Sequence, residues 1–154
     1  HSGITFVNGK FEKFDGGIIG SLDKMEEARV FFNVEVGSIN TSVEMRDNHL
    51  RSADFFDAEK YPSMTFESTS VEKVDAKKYK LNGKLQIKDV TKDVTFDVIY
   101  GGVVKGQDGG ETAGFIAKTT IDRLDYNVAY DPDGLGIGKE VMITLYLEFK
   151  SAVQ

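Results

Sequence analysis

Apolar and polar positions alternate with a period of two along most of this chain. Val30, Phe32, Val34 and Val36 fall on one side, against Asn33 and Glu35. Met64 and Phe66 alternate with Thr65 and Glu67, and Leu81, Gly83, Leu85 and Ile87 oppose Asn82, Lys84, Gln86 and Lys88. Val94, Phe96, Val98 and Tyr100 make a further stripe, as do Phe115, Ala117, Thr119 and Ile121. Val141, Ile143, Leu145, Leu147 and Phe149 make the longest one. Successive side chains of a strand point to opposite faces, so each stretch reads as a β-strand with one apolar face. Ile4–Val7 and Phe11–Leu22 are strand-like too, which brings the total to about eight strands.

Turn chemistry separates these stretches, at Asn8-Gly9, Asp15-Gly16-Gly17, Asp75, Asp89 and Gly106–Gly110. Short connections imply antiparallel neighbours. Strands of this kind can close into an all-β, up-and-down eight-stranded barrel whose interior is filled by side chains or holds one small ligand. A two-sheet sandwich carries the same pattern and is the alternative. Neither an internal repeat nor a linker interrupts residues 1–154, which read as a single domain.

Arg46–Pro62 breaks the alternation. Thr41 and Glu44 have the spacing of a capping box, predicting a short helical segment near residues 43–58. Pro62 forbids its continuation and holds Tyr61 extended, launching the next strand.

Composition adds exclusions. Nineteen basic against twenty-five acidic residues give a net charge of -6. No basic cluster offers the concentrated face that nucleic acid or an anionic membrane needs. With no cysteine there is no disulfide, thiol nucleophile or thiolate-held metal. No apolar run reaches the length of a membrane span, and the first residues do not form a signal peptide. Eleven Phe, six Tyr and no Trp suggest a broad, greasy interior.

Candidate chemistry is thin. Asp47, His49 and Ser52 have the residue types of a hydrolytic triad, but neighbours on one short helix do not set nucleophile, base and orienter in line. His1 and His49 are the sole imidazoles and lack metal-binding spacing. Asp131-Pro132-Asp133-Gly134 starts like a calcium loop without the later ligands and reads as a turn. Asn40-Thr41-Ser42 matches a glycosylation sequon. Catalytic residues, metal sites and cofactors are therefore not expected. Phe55 and Phe56 either plug the end of a barrel or frame the mouth of an apolar pocket.

Ser38–Ser70 resembles the YceI-like family of polyisoprenoid-binding, lipocalin-like bacterial proteins. The matching residues include Ser38-Ile39-Asn40-Thr41, Arg46-Asp47-Asn48-His49-Leu50, Asp54-Phe55-Phe56-Asp57, Lys60-Tyr61-Pro62 and Phe66-Glu67-Ser68-Thr69. Gly9-Lys10-Phe11, Leu81-Asn82-Gly83-Lys84-Leu85, Val90-Thr91-Lys92 and Ile121-Asp122-Arg123 extend the likeness along nearly the whole chain. The resemblance implies an extended eight-stranded antiparallel barrel around a hydrophobic tunnel. It also implies carriage or storage of an isoprenoid quinone, polyisoprenoid, fatty acid or fatty amide, in the periplasm or outside the cell rather than in the cytoplasm. It assigns no chemistry to Arg46, Asp47 and His49, which are expected to hold the helix against the barrel.

Members of the family begin with a strand ahead of the matched region, and the interval from His1 to Gly9 is short. Either the first strand is abbreviated or a segment is missing, and a missing strand would leave an unpaired edge, predicting a homodimer through that edge or a partly open barrel. The expected ligand-binding residues are Phe32, Val34, Phe66, Leu85, Phe96, Ile143 and Leu145, with Leu50, Phe55 and Phe56 near the mouth. The alternatives are an enzyme acting on a small apolar substrate in the same barrel, and a ligand-free stress or interaction module.

Overall fold

A computed structural model describes residues 1–151. Among the described residues there are nine strands: β1 (Lys10–Phe11), β2 (Phe14–Ile19), β3 (Arg29–Glu35), β4 (Ile39–Asn40), β5 (Ser63–Lys73), β6 (Lys78–Ile87), β7 (Val90–Lys105), β8 (Glu111–Asp122) and β9 (Glu140–Lys150). One α-helix, α1 (Glu44–Arg51), lies between β4 and β5. β1 and β4 form a small ribbon, and the other seven strands form one antiparallel sheet in the order β2-β3-β5-β6-β7-β8-β9.

The period-two stripes become the concave face of this sheet. Phe32 stands opposite Phe66, Phe66 opposite Leu85, and Leu81 opposite Phe96. Val98 faces Ala117, which faces Leu145. Phe66, Phe96 and Ala117 are almost inaccessible to water. Apolar burial at roughly 25 cal/mol per Å² drives the curl, and irregularities at Ser68/Ser70 and Tyr100/Gly102 help it by bending their strands.

The curl does not close. Among the described residues no ladder joins β2 to β9, so the sheet is an open half-barrel with a seam between two parallel-running edges. One of the sequence's alternatives, a partly open barrel, is the arrangement described.

Four local expectations are corrected. Ile4–Val7 forms no strand. Positive φ at Ser2 and Gly3 turns the chain, and the Ile4 and Thr5 amides donate back to the His1 carbonyl. Asp15-Gly16-Gly17 is no turn but the middle of β2. A Cβ at Gly16 would lie 2.6 Å from the Phe31 carbonyl oxygen, so these glycines allow close approach to β3. The capping box does not form: Val43 is the N-cap of α1 and offers no side-chain bond. The helix ends at Arg51, and the rest of the segment to Lys60 is a run of turns.

Candidate functional site

The two ends of the half-barrel are built differently. The end at the start of β9 carries α1, the turns after it and the loop from Arg123 to Lys139. A hydrogen-bond network fixes this cap. Asp47 is buried, and its carboxylate accepts from the backbone amide and the hydroxyl of Thr41. Those bonds hold the Asp47 carboxyl below its ordinary range, helped by the Arg51 and Arg46 charges and opposed by desolvation. Arg46 donates to the Thr41 hydroxyl and carbonyl at 2.8 Å. Arg51 reaches the Gly37 and Ile39 carbonyls, tying α1 to β4 and the turn before it.

His49 sits 2.8 Å from the Asp54 carboxylate and meets the rings of Phe55 and Tyr130 edge-on, both at 4.9 Å between centroids. Ser52 donates its hydroxyl to the His49 carbonyl, not to the imidazole. Asp47, His49 and Ser52 thus point to three different partners.

Arg123 is the second anchor of this end. It is buried, and its five N–H groups donate to the carbonyls of Gly138, Val128, Tyr130, Asp131 and Ile137. The Asp131 carboxylate accepts from the amides of Gly136 and Ile137 at 2.7 Å. Those bonds depress its pKa, with the Arg123 charge adding to them. The sequence Asp131–Gly134 is therefore a self-bonded loop. Among the described residues no cluster of three or more His, Cys, Asp or Glu stands ready to hold a metal ion.

Tyr126 follows, at the end of a short 3-10 turn over Arg123–Tyr126. It is 2% exposed, and its hydroxyl finds no hydrogen-bond partner. Burial pushes the phenol pKa up, and the Asp125 carboxylate beside it adds to the rise. An unpaired buried hydroxyl costs about 1–3 kcal/mol.

Aromatic rings pack the middle of the interior. Phe32 and Phe66 stack at 4.9 Å, and Phe96 meets Phe66 edge-on at 5.3 Å. Beyond them, away from α1, lies an apolar cavity of about 30 Å³. Every strand of the large sheet lines it: Ile18 from β2, Val30 from β3, Val71 from β5, Tyr79 and Leu81 from β6, Val98 from β7, Phe115 and Ala117 from β8, Leu147 and Phe149 from β9. Met25, from the 3-10 turns between β2 and β3, completes the lining. Ile18 on one edge strand and Leu147 and Phe149 on the other place the cavity at the seam.

The residues expected to bind ligand lie elsewhere in the same interior. Val34, Phe66, Leu85 and Phe96 are buried, and Phe32, Ile143 and Leu145 are half-buried against them. Phe55 is buried in the cap against His49 and Tyr130, while Leu50 and Phe56 are half-buried. Phe56 packs edge-on against Phe11. The sequence stripes contain most cavity residues, one or two pleats farther along their strands. Met25 and Tyr126 carried no signal that distinguished them, and Arg123 stood out only as the end of the matching triplet Ile121-Asp122-Arg123.

The YceI-like domain model matches residues 1–149 of the chain. A UPF0312 protein of Staphylococcus aureus is 35% identical over 97% of this chain and 87% of its own length. The crystal structure of the Campylobacter jejuni YceI protein superposes with a TM-score of 0.90 at 34% identity, covering 99% of this chain and 90% of that one. A polyisoprenoid-binding domain from Saccharophagus degradans shares the fold, with a TM-score of 0.63 at 14% identity over 94% of this chain and 85% of that one. With a family model spanning the half-barrel from end to end, the chain belongs to the YceI-like domain family.

Proposed function

We propose that this protein binds the apolar part of an amphiphilic lipid inside its curled sheet, and transports or stores it. The lipid is an isoprenoid quinone, a polyisoprenoid, or a fatty acid or amide. The observation that carries this reading is the cavity that straddles the seam, lined by side chains from all seven strands of the large sheet. A cavity of about 30 Å³ holds no lipid chain, so a ligand must widen it. The seam supports that, because β2 and β9 can part without breaking a ladder. The name of the Saccharophagus relative, a polyisoprenoid-binding domain, agrees with the reading. A binding protein rather than an enzyme fits a cap whose polar side chains are engaged in holding backbone. The resemblance adds the periplasm as the place of action, read by fractionating cells that express the full gene.

Native mass spectrometry of the purified protein, with solvent extraction and analysis of the extract, tests the proposal. A stoichiometric lipid is the expected result. A ligand-free protein that also fails to take up added quinone or fatty acid would sink it.

A further inference from the structure

Tyr126 stands out among the polar side chains of the interior. Among the described residues it holds the one buried side-chain oxygen or nitrogen without a hydrogen-bond partner. Its ring belongs to the same core as Phe66, Leu85 and Phe96, at the capped end of the barrel. We infer that the Tyr126 hydroxyl is the polar anchor of the lipid site, donating to an uncharged carbonyl oxygen such as that of a quinone ring or a primary amide. This inference rests on the proposed lipid binding and narrows it to one ligand class.

The choice of a neutral carbonyl follows from what surrounds the hydroxyl. The group is a donor, because burial and the Asp125 carboxylate keep the phenol protonated. A carboxylate in its place would need a cation to offset desolvation. The nearest buried one in sequence, the Arg123 guanidinium, already spends all five N–H groups on carbonyls. The Asp125 charge next door repels an anion further. A neutral carbonyl oxygen meets the donor with two lone pairs and carries no charge to desolvate. A plain hydrocarbon would leave the hydroxyl as it stands, unpaired.

The geometry suits a ligand with one polar tip. Along β8 the interior runs from Phe115 beside the cavity to Ile121 beside the turn that bears Tyr126. Six residues of strand span about 20 Å. A tip at Tyr126 thus leaves the tail to run past the Phe66–Phe96 pair toward the seam cavity.

The test compares wild type with Tyr126→Phe, which keeps the ring and removes the oxygen. Decylubiquinone and oleamide serve as carbonyl probes, oleate as the carboxylate and squalene as the hydrocarbon, each titrated into lipid-free protein. The expected result is a Kd for decylubiquinone and oleamide weakened about tenfold in Tyr126→Phe, the loss of one buried hydrogen bond. Squalene should bind both proteins alike, and oleate should bind both more weakly than oleamide. Infrared spectra should show the quinone carbonyl stretch shifted down in wild type and restored in the variant. An unchanged quinone Kd, an equal loss for squalene, or an unshifted carbonyl would overturn the inference while leaving lipid binding intact. Failure of wild type to bind any of the four probes would remove both readings together.

Discussion

Single residues decide how the capped end is held, and they do so through backbone. Asp47 has a folded-state pKa below its unfolded value because Thr41 donates to it twice. The stabilisation from that pair is therefore present above about pH 4 and is lost as pH falls through the folded pKa. Melts from pH 7 to pH 2 should show Asp47→Asn less stable than wild type at neutral pH, with the two curves converging in acid. A constant gap at every pH would contradict this. Arg123→Met should cost more, because it leaves five loop carbonyls without their donor. A loss of about 3 kcal/mol or more is expected, read as a melting point lower by about 10 °C. Faster amide exchange confined to residues 127–139 would accompany it. The motif carrying Asp47 was expected to hold the helix and Arg123 closed a matching triplet, but the backbone partners of neither were legible beforehand. Arg46, Asp47 and His49 stood out as a motif, but an arginine that binds five carbonyls at separations of up to fifteen residues leaves no periodic trace.

Whole elements were legible wherever burial had one side. Every long stripe from Val30 to Phe149 kept its phase, since a slip by one residue would have turned the phenylalanines to water. What failed were signals with two physical causes. Gly16 and Gly17 carry the composition of a turn and serve as close-contact positions in β2. Thr41 has the spacing of a cap and instead satisfies a buried carboxylate. Gly83 on β6 shows the same economy in a stripe position. A Cβ there would fall 2.4 Å from both the Glu67 carbonyl oxygen and the Phe66 ring. Gly83→Ala should destabilise by about 1–3 kcal/mol through overpacking, as measured by denaturant unfolding. It should also move the Phe66 ring off the Phe32 stack, which near-ultraviolet circular dichroism or aromatic NMR shifts would report. An unperturbed variant would show that β5 and β6 have slack that the packing does not suggest. The cavity residues illustrate a different limit. Alternation tells which side chains point inward, but not which part of the interior they leave unfilled.

At the scale of the molecule, the seam is the feature that binding should act upon. Amides of β2 and β9 that face it lack ladder partners, whereas those of β6 are paired on both sides. Hydrogen exchange should therefore be fast along the seam-facing positions of β2 and β9, slow in β6, and slower at the seam once lipid is bound. Exchange at the seam that is indifferent to a bound ligand would place the ligand elsewhere. Ligand at a hundred times its Kd should also raise stability by about 2.7 kcal/mol. A second copy pairing along these edges stays a proposal, read by light scattering as twice the 17.1 kDa of one chain.

Seven antiparallel strands have a further consequence through simple parity. An odd count leaves the first and last strands running the same way, so these two edges could join directly only through the slanted, slightly weaker parallel ladder. Every other strand boundary in the sheet carries an antiparallel ladder, the one between β7 and β8 running only from Asp97 and Lys118 to Lys105 and Glu111; this one rests on side chains such as Ile18, Leu147 and Phe149. The half-barrel thus has a built-in line of least resistance. Widening it there exchanges one set of greasy contacts for another, protein for lipid, and leaves every strand ladder intact.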